Sequence, residues 1–416
     1  MVFEDKRVVV TGMGALSCVG NSVAEMWHGM LNGKSGIGPI TKIDTEGFRT
    51  RIAGEIKNFD ITSLISRQEA RRLDNYCHYA IAATDEAVSS AALDFDSVDT
   101  DRVGVFIGSG IGGIGTFEQQ TVRYIEGGPK KVSPFLIPML IADMASGIIS
   151  IRYKACGPNF SIVSACATGS HAIGEAFWTI KRGDADVMIA GGSEACLSNL
   201  GICGFSSMKA LSVRNDEPER ASRPFDAQRD GFVMAEGAGT VILEYLEHAK
   251  ARKAPILAEM TGYGATADAH HMTAPAPGGK GAARAIEIAM EHAGIKPDDI
   301  DYINAHGTST PLNDKFETLA IKNVLGDVAY DIPVTSTKAL TGHTLGAAGA
   351  IEAIVCIQAI NEGTIPGTYN YEFKDPACDL NYVPNQSLHK DVRLALNLNF
   401  GFGGHNAVLV LQTYSD

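Results

Sequence analysis

The eight cysteines, at positions 18, 77, 156, 166, 196, 203, 356 and 378, include no Cys-x-x-Cys pair, and their spacing repeats no regular framework. This argues against a disulfide-stapled secreted scaffold and against a cysteine-built zinc module, and for a reducing compartment. No stretch approaches the ~20 consecutive apolar residues that span a bilayer. The start, Met1-Val-Phe-Glu-Asp-Lys-Arg, runs into Val8-Val9-Val10, too short for the apolar region of a signal peptide and without its cleavage site. A cytoplasmic protein with no membrane partner is expected. Positive charge is scarce: 35 Lys and Arg face 48 Asp and Glu, for a net charge of -13. General nucleic-acid binding needs a basic footprint and is excluded on that ground. An acidic partner must therefore meet a local basic patch, for which Arg67, Arg71 and Arg72 and the pair Lys130-Lys131 are the candidates. His-Glu-x-x-His is also missing, so His270-His271, and His171 with Glu175, stand without the company of a metal site, and no metal is expected.

What is present describes a well-filled globular chain. Its 416 residues, 45% hydrophobic and 20% charged, suffice for two or three structural units or one large duplicated one, and 45 glycines imply many tight turns. Short β-branched runs alternate with alanine-rich amphipathic segments, the pattern of an α/β protein with buried strands. Strands are predicted at residues 6–10, 103–107, 160–164, 187–190, 240–244, 301–304, 334–336 and 408–412. Helices are predicted at 72–92, 168–181, 281–293, 314–325 and 347–360.

A weak internal repeat is visible. Residues 160–176 share a plan with 332–348: a buried strand, a polar turn, a Thr-Gly step and a helix of small residues. The glycine-rich turn and strand at 231–244 are echoed at 399–412. Two related halves, 1–253 and 254–416, follow, with small-residue helices able to lie side by side between two sheets. That arrangement brings Cys166 and His343 toward one cleft.

Two glycine runs, Gly12-Met-Gly-Ala-Leu-Ser and Gly108-Ser-Gly-Ile-Gly-Gly, lack the third glycine or the later acidic residue of a dinucleotide fingerprint and read as close backbone turns. Cys166 lies in Val163-Ser-Ala-Cys-Ala-Thr-Gly, at a strand-to-helix turn where free N–H groups and positive partial charge favour a thiolate and can hold an oxyanion. A buried structural cysteine is the alternative, and it suits Cys156, Cys196, Cys203 and Cys356. His306, in Asn304-Ala-His-Gly-Thr-Ser-Thr-Pro, and His343, after Ser336-Thr-Lys-Ala-Leu-Thr-Gly, each follow a strand end. With Cys166 they form a Cys-His-His set, a nucleophile with two proton donors.

Ser164-Ala-Cys-Ala-Thr-Gly, Asn304-Ala-His-Gly-Thr-Ser-Thr and Lys338-Ala-Leu-Thr-Gly-His occur in this order, supported by Arg223-Pro-Phe-Asp, Arg229-Asp-Gly-Phe-Val, Asp268-Ala-His-His-Met-Thr and Phe400-Gly-Phe-Gly-Gly. In these stretches the chain, from about Arg7 to Leu411, resembles the β-ketoacyl-acyl-carrier-protein synthases, and most of all the elongating type II enzymes of fatty-acid synthesis. The resemblance implies a thiolase-like fold of five layers, α/β/α/β/α, and a homodimer. It implies that Cys166 takes an acyl group from acyl carrier protein, with its own N–H and that of Phe402 as the oxyanion hole. It further implies that His306 and His343 stabilise the enolate formed when a malonyl group loses carbon dioxide. Lys338, partnered by Glu317, and Asp314 support the site. Thr308, Thr310, His271 and Thr273 meet the substrate arm, while Ile111, Phe205 and Phe402 line or gate the acyl pocket. Arg71, Arg72, Lys130, Lys131 and Lys209 become a docking face for the acidic carrier protein. No organic cofactor is implied, although some relatives hold a structural monovalent cation.

The chain departs from the common pattern at Asn399 and His405, which replace a Ser and a Thr of the last glycine-rich motif. A thiolase needs a second active-site cysteine where this chain has Phe400-Gly-Phe-Gly-Gly-His, and initiating synthases use Cys-His-Asn. A non-catalytic chain-length partner replaces the nucleophile, which is retained here. A polyketide ketosynthase would share the same chemistry.

Overall fold

The computed structural model describes residues 6–416; the segment 1–5, included in the reading of the chain start, lies outside the described residues. Nine strands form the main mixed sheet: β1 (Val8–Ser17), β2 (Val103–Gly108), β3 (Val187–Glu194), β4 (Gly237–Tyr245), β5 (Ala258–Ala267), β6 (Tyr302–Asn304), β7 (Val334–Thr335), β8 (Leu394–Gly401) and β9 (His405–Gln412). The helices that matter below are α1 (Asn75–Ser90), α2 (Ile114–Gly127), α3 (Met144–Tyr153), α4 (Thr168–Lys181), α5 (Asn199–Ser207), α6 (Lys280–Ala293), α7 (Pro311–Leu325) and α8 (Ala348–Glu362).

Strand order is β2-β3-β4-β1-β5-β9-β8-β6-β7. The sheet is pinched at its middle, where β1 and β5 pair only from Val8↔Met260 to Val10↔Ala258. On either side of the pinch the pattern repeats: β1 with β4 and β5 with β9 are antiparallel, while β2 with β3 and β6 with β8 are parallel. Helices α4 and α8 lie between the two half-sheets and share the central core, in which Ala172, Ile173, Ala350 and Ile354 are buried together. Outside, α1 and α3 cover the first half-sheet and α6 and α7 the second, each over its own apolar cluster. The result is the five-layered α/β/α/β/α arrangement of the thiolase-like fold.

Central helices must be apolar all round because both faces are covered. This explains why the stretch Leu345–Glu362 has the length and hydropathy of a membrane span, contrary to the expectation that no segment comes near one, while most of it is buried inside the fold. The small residues serve close approach: a Cβ on Gly169 of α4 would come 2.8 Å from the Ala350 nitrogen of α8.

Predicted elements and observed ones differ in instructive places. Residues 160–164 form no assigned strand; they run beside β2 with a single bridge, Val105↔Asn159, and the Phe160 and Val163 side chains are 52% and 55% exposed. The segment is also tied to α3 and the loop before it, the Ser146 hydroxyl donating to the Phe160 carbonyl at 3.2 Å and the Ser161 hydroxyl to the Ala142 carbonyl at 3.3 Å, so side-chain bonds stand where a strand ladder was expected. Helix α1 begins at Asn75 because Asp74 caps it, its side chain accepting from the Tyr76 N–H at 3.3 Å. Helices α2, α3 and α5 lie in stretches with no predicted element. The repeat aligns helix α4 with helix α8, but not residue with residue. The turn Ala165–Ala167 enters α4 directly, whereas a helical turn, Lys338–Thr341, and Gly342 to Thr344 intervene before the matching turn Leu345–Ala347 and α8. Cys166 therefore corresponds to Gly346, and the intervening segment carries Lys338 and His343.

Candidate active site

The turn that delivers Cys166 is strained. Ala165 has φ +52°, a left-handed conformation costly for a residue with a Cβ, and the Ser164 N–H donates to Thr168 Oγ1 at 2.9 Å as α4 begins. The site of the second half is built from two loops. His306 follows β6, with its N–H and that of Gly307 donating to the two oxygens of Glu317 on α7 at 2.6 and 2.7 Å. His343 is pinned by backbone on both sides: its N–H donates to Val233 O at 2.7 Å, and its carbonyl accepts from the Ala235 N–H at 2.9 Å. Gly342 makes that seat accessible, since it takes φ +66° and a Cβ there would lie 2.9 Å from Val233 O.

These elements bring the Cys166 sulfur and ring nitrogens of His306 and His343 within 4.8 Å of one another, although the three residues come from three separate loops. All three are buried. The rings of His306 and His343 meet edge to face at 5.3 Å, and Phe400 and Phe232 pack against their outer sides. His306 Nδ1 and both ring nitrogens of His343 have no hydrogen-bond partner among the described residues. Burial pushes both imidazoles well below the usual histidine range, and the charge of Lys338 pushes in the same direction. They are neutral at physiological pH, each carrying one N–H and one lone pair.

Burial also dominates at Cys166, pushing its thiol up to about 12; the Lys338 charge and the backbone N–H groups of Phe402 and of Cys166 itself pull the other way. Burial therefore opposes the thiolate that the helix N-terminus favours. The backbone N–H groups of Cys166 and Phe402, expected as the oxyanion hole, are the two that act on the sulfur in this way.

Lys338 does not pair with Glu317, as expected, but with Glu352 of α8, a carboxylate that sequence reasoning passed over. A single acid inside the apolar run Ala348–Glu362 was the available signal, because a buried charge needs a partner. Glu317, fully enclosed and pushed up to about 8 by burial, serves the His306 loop instead. Asp314 accepts from the Phe225 N–H at 2.8 Å and faces Arg229 at 3.5 Å, tying the same loop to the body of the fold.

A cavity of about 390 Å³ leads to the three residues, lined by Thr308, Thr310, Thr273, Phe205 and Phe402, with Lys209 at its edge. The Thr308 and Thr310 hydroxyls are 2.9 Å apart. His271 does not line it; exposed, its ring accepts from the N–H groups of Thr273 and Ala274 at 3.1 Å and shapes that loop. Ile111 also lies off the cavity, in the apolar cluster that contains Cys166, Leu345 and Phe205. Its loop is held by Glu194, whose carboxylate accepts from Gly110 N–H at 2.8 Å and Ile111 N–H at 3.3 Å. Arg71, Arg72, Lys130 and Lys131 are exposed, and Arg72 lies 5.0 Å over the Phe135 ring, close beyond the two lysines in sequence. Of the histidines set aside as ligands, His171 bonds the Tyr263 hydroxyl at 2.5 Å.

Comparison with known proteins agrees with this geometry. Residues 5–249 match the family described as beta-ketoacyl synthase, N-terminal domain, and residues 257–372 the corresponding C-terminal domain. The chain is 52% identical over 411 residues to a 3-oxoacyl-[acyl-carrier-protein] synthase 2 of Synechocystis, covering 99% of each protein. It is equally similar, with the same coverage, to a protein of that name from Staphylococcus aureus. In structure it resembles a type II polyketide ketosynthase solved with its acyl-carrier protein, with a TM-score of 0.92, 37% identity and coverage of 99% of this chain and 100% of that one. Motifs, fold and site geometry converge with full-length similarity, and the chain belongs to the β-ketoacyl synthase family.

Proposed function

We infer that the chain is a condensing acyltransferase of fatty-acid elongation, joining an acyl chain to malonyl-acyl-carrier protein to give 3-ketoacyl-acyl-carrier protein and carbon dioxide. The observation that carries this reading is the Cys166 thiol at the end of a cavity, within 4.8 Å of ring nitrogens of two buried histidines, of which His306 Nδ1 and both nitrogens of His343 have no partner among the described residues.

In the first half-reaction the Cys166 sulfur attacks the carrier thioester. A thiol held near 12 must lose its proton as the bond forms, and a neutral imidazole of His306 or His343 accepts it. The carbonyl oxygen becomes negative between the N–H groups of Cys166 and Phe402; collapse expels the carrier thiolate, which takes the proton. In the second half-reaction the malonyl carboxylate departs as carbon dioxide, and its bonding pair enters the thioester carbonyl as an enolate. The two imidazole N–H groups donate to that oxygen. The enolate carbon then attacks the acyl thioester, Cys166 leaves as thiolate, and one proton restores the thiol. Neutral imidazoles suit this role, because donors already in place stabilise charge only where it develops.

Thr308 and Thr310 are positioned to meet the carrier's pantetheine arm, and Lys209 with Arg71, Arg72, Lys130 and Lys131 to meet its acidic surface. The exposed apolar side chains of Phe160 and Val163 support a homodimer formed there. Free cysteines throughout the described residues support a reducing cytoplasm.

Intact mass measured after mixing with long-chain acyl-carrier protein, then malonyl-carrier protein, tests the reading. Wild type and His306→Ala take up the acyl group, Cys166→Ala does not, and only wild type releases a 3-ketoacyl product. Failure of wild type to be acylated by any chain length overturns the reading in favour of a non-catalytic partner.

A further inference from the structure

Asn399, on β8, is fully buried and bonded at both ends of its amide. Its nitrogen donates to Glu352 Oε2 at 2.6 Å, and its oxygen accepts from the Ser170 hydroxyl at 2.5 Å. Ser170 sits in the first turn of α4, the helix that Cys166 precedes, and the other oxygen of Glu352 holds Lys338. Ser170, Asn399, Glu352 and Lys338 therefore form one continuous buried line from the nucleophile's helix to the segment that carries His343. The orientation of the amide is dictated by chemistry: an ionised carboxylate only accepts, so the amide nitrogen must face Glu352 and the amide oxygen the hydroxyl. Asn397, two residues earlier and on the same face of the strand, donates to the Gly349 carbonyl at 2.8 Å and to the Ser170 hydroxyl at 3.4 Å, and does not reach the ion pair.

We propose that Asn399 is a positioning residue of this site: its amide fixes the Glu352 carboxylate, and through it the Lys338 charge that faces Cys166, His306 and His343. The proposal rests on the condensing function argued above and extends it to a residue outside the reacting set. Lys338 acts electrostatically on Cys166, both histidines and Glu317. Glu352 is faced by Lys338, by Tyr302 from β6 and by Cys356 from its own helix. Removing the amide donor leaves Glu352 with Lys338 alone, and favours sharing of the lysine's proton across the pair. The positive field at the Cys166 sulfur weakens as a result. An aspartate at 399 does more, because it sets a second carboxylate against Glu352.

The test reads Cys166 without any substrate. Alkylation by iodoacetamide is followed by peptide mass at about pH 8, with the exposed free Cys203 as reference in the same molecule. Asn399→Ala is expected to slow Cys166 relative to Cys203 by ~3-fold, equivalent to a half-unit rise in thiol pKa. Asn399→Asp is expected to slow it further, and Asn399→Ser, which keeps a donor, to recover part of the loss. Circular dichroism and melting confirm that each variant is folded; where Asn399→Ala or Asn399→Asp is not, Ser170→Ala, which frees the amide from its anchor, carries the same expectation of slowing. Folded variants that keep the wild-type ratio overturn the proposal. Acylation of wild type by acyl-carrier protein in parallel separates that failure from a failure of the condensing function itself.

Discussion

Lys338 and Glu352 form an ion pair in the interior of the molecule, with side chains 1% and 3% exposed, and Asn399 supplies the carboxylate's remaining bond. The pair lies behind the reacting residues. Its charge reaches Cys166 and both histidines, so a structural bond here is also an electrostatic one.

Breaking this pair from one side leaves a charge buried without compensation. Glu352→Ala is expected to cost ~3–5 kcal/mol of stability, seen as a lowered urea midpoint. Glu317→Gln spares the pair and disturbs only the acceptor of the His306 and Gly307 N–H groups. It should therefore cost less stability than Glu352→Ala while slowing condensation. Equal destabilisation by both changes would contradict the assignment of Glu352 as the partner.

Replacing His343 with Ala removes one of two donors to the enolate. The expected loss in condensation is ~100 to 1,000-fold, with acyl uptake by Cys166 retained because His306 can still take the thiol proton. Separate measurement of acylation by intact mass and of decarboxylation by carbon dioxide release distinguishes the two steps.

The two histidines have a signature in stability against pH. Folding holds both below a histidine's ordinary value of 6.5, by burial first and by the Lys338 charge second. The unfolded chain binds their protons near pH 6.5 and the folded chain does not. Their contribution is therefore complete above that pH and is lost as pH falls below it. Urea titrations should show stability falling on acidification from about pH 7 to 5, by up to ~1.4 kcal/mol per pH unit for each histidine. His306→Gln with His343→Gln should flatten that slope.

Charge reversal on the proposed docking face is expected to affect encounter rather than chemistry. Lys209→Glu combined with Lys131→Glu is expected to raise KM for acyl-carrier protein ~10-fold or more at low salt, with kcat little changed, and the gap should narrow as salt screens the interaction. Steady-state kinetics at two ionic strengths decide this.

Much of the site was legible in the sequence because chemistry-bearing residues fell at strand ends: Cys166 before a small-residue helix, His306 after β6, His343 after a Thr-Gly step. The alternation of β-branched and alanine-rich segments and the weak repeat were enough for an α/β duplication. The strand expected at 160–164 was read from apolar residues alone, and here two of them, Phe160 and Val163, lie exposed rather than in a buried ladder. Helix α2 has an amphipathic pattern that was passed over, whereas α3 and α5 carry little helical periodicity, and apolar residues of all three remain exposed.

The sequence by itself singled out Cys166, His306 and His343 and the α/β duplication through local pattern, and their roles and the five layers through the order of motifs shared with a family, none of which needs a third dimension. Tertiary structure alone decided which carboxylate meets Lys338. Glu317 and Glu352 are both acids in helices that follow a catalytic loop, and only the packing of α8 between the half-sheets brings Glu352 to the lysine. It also decided how strongly burial opposes a thiolate at Cys166: a helix N-terminus is visible in sequence, but the depth of burial depends on every layer above and below.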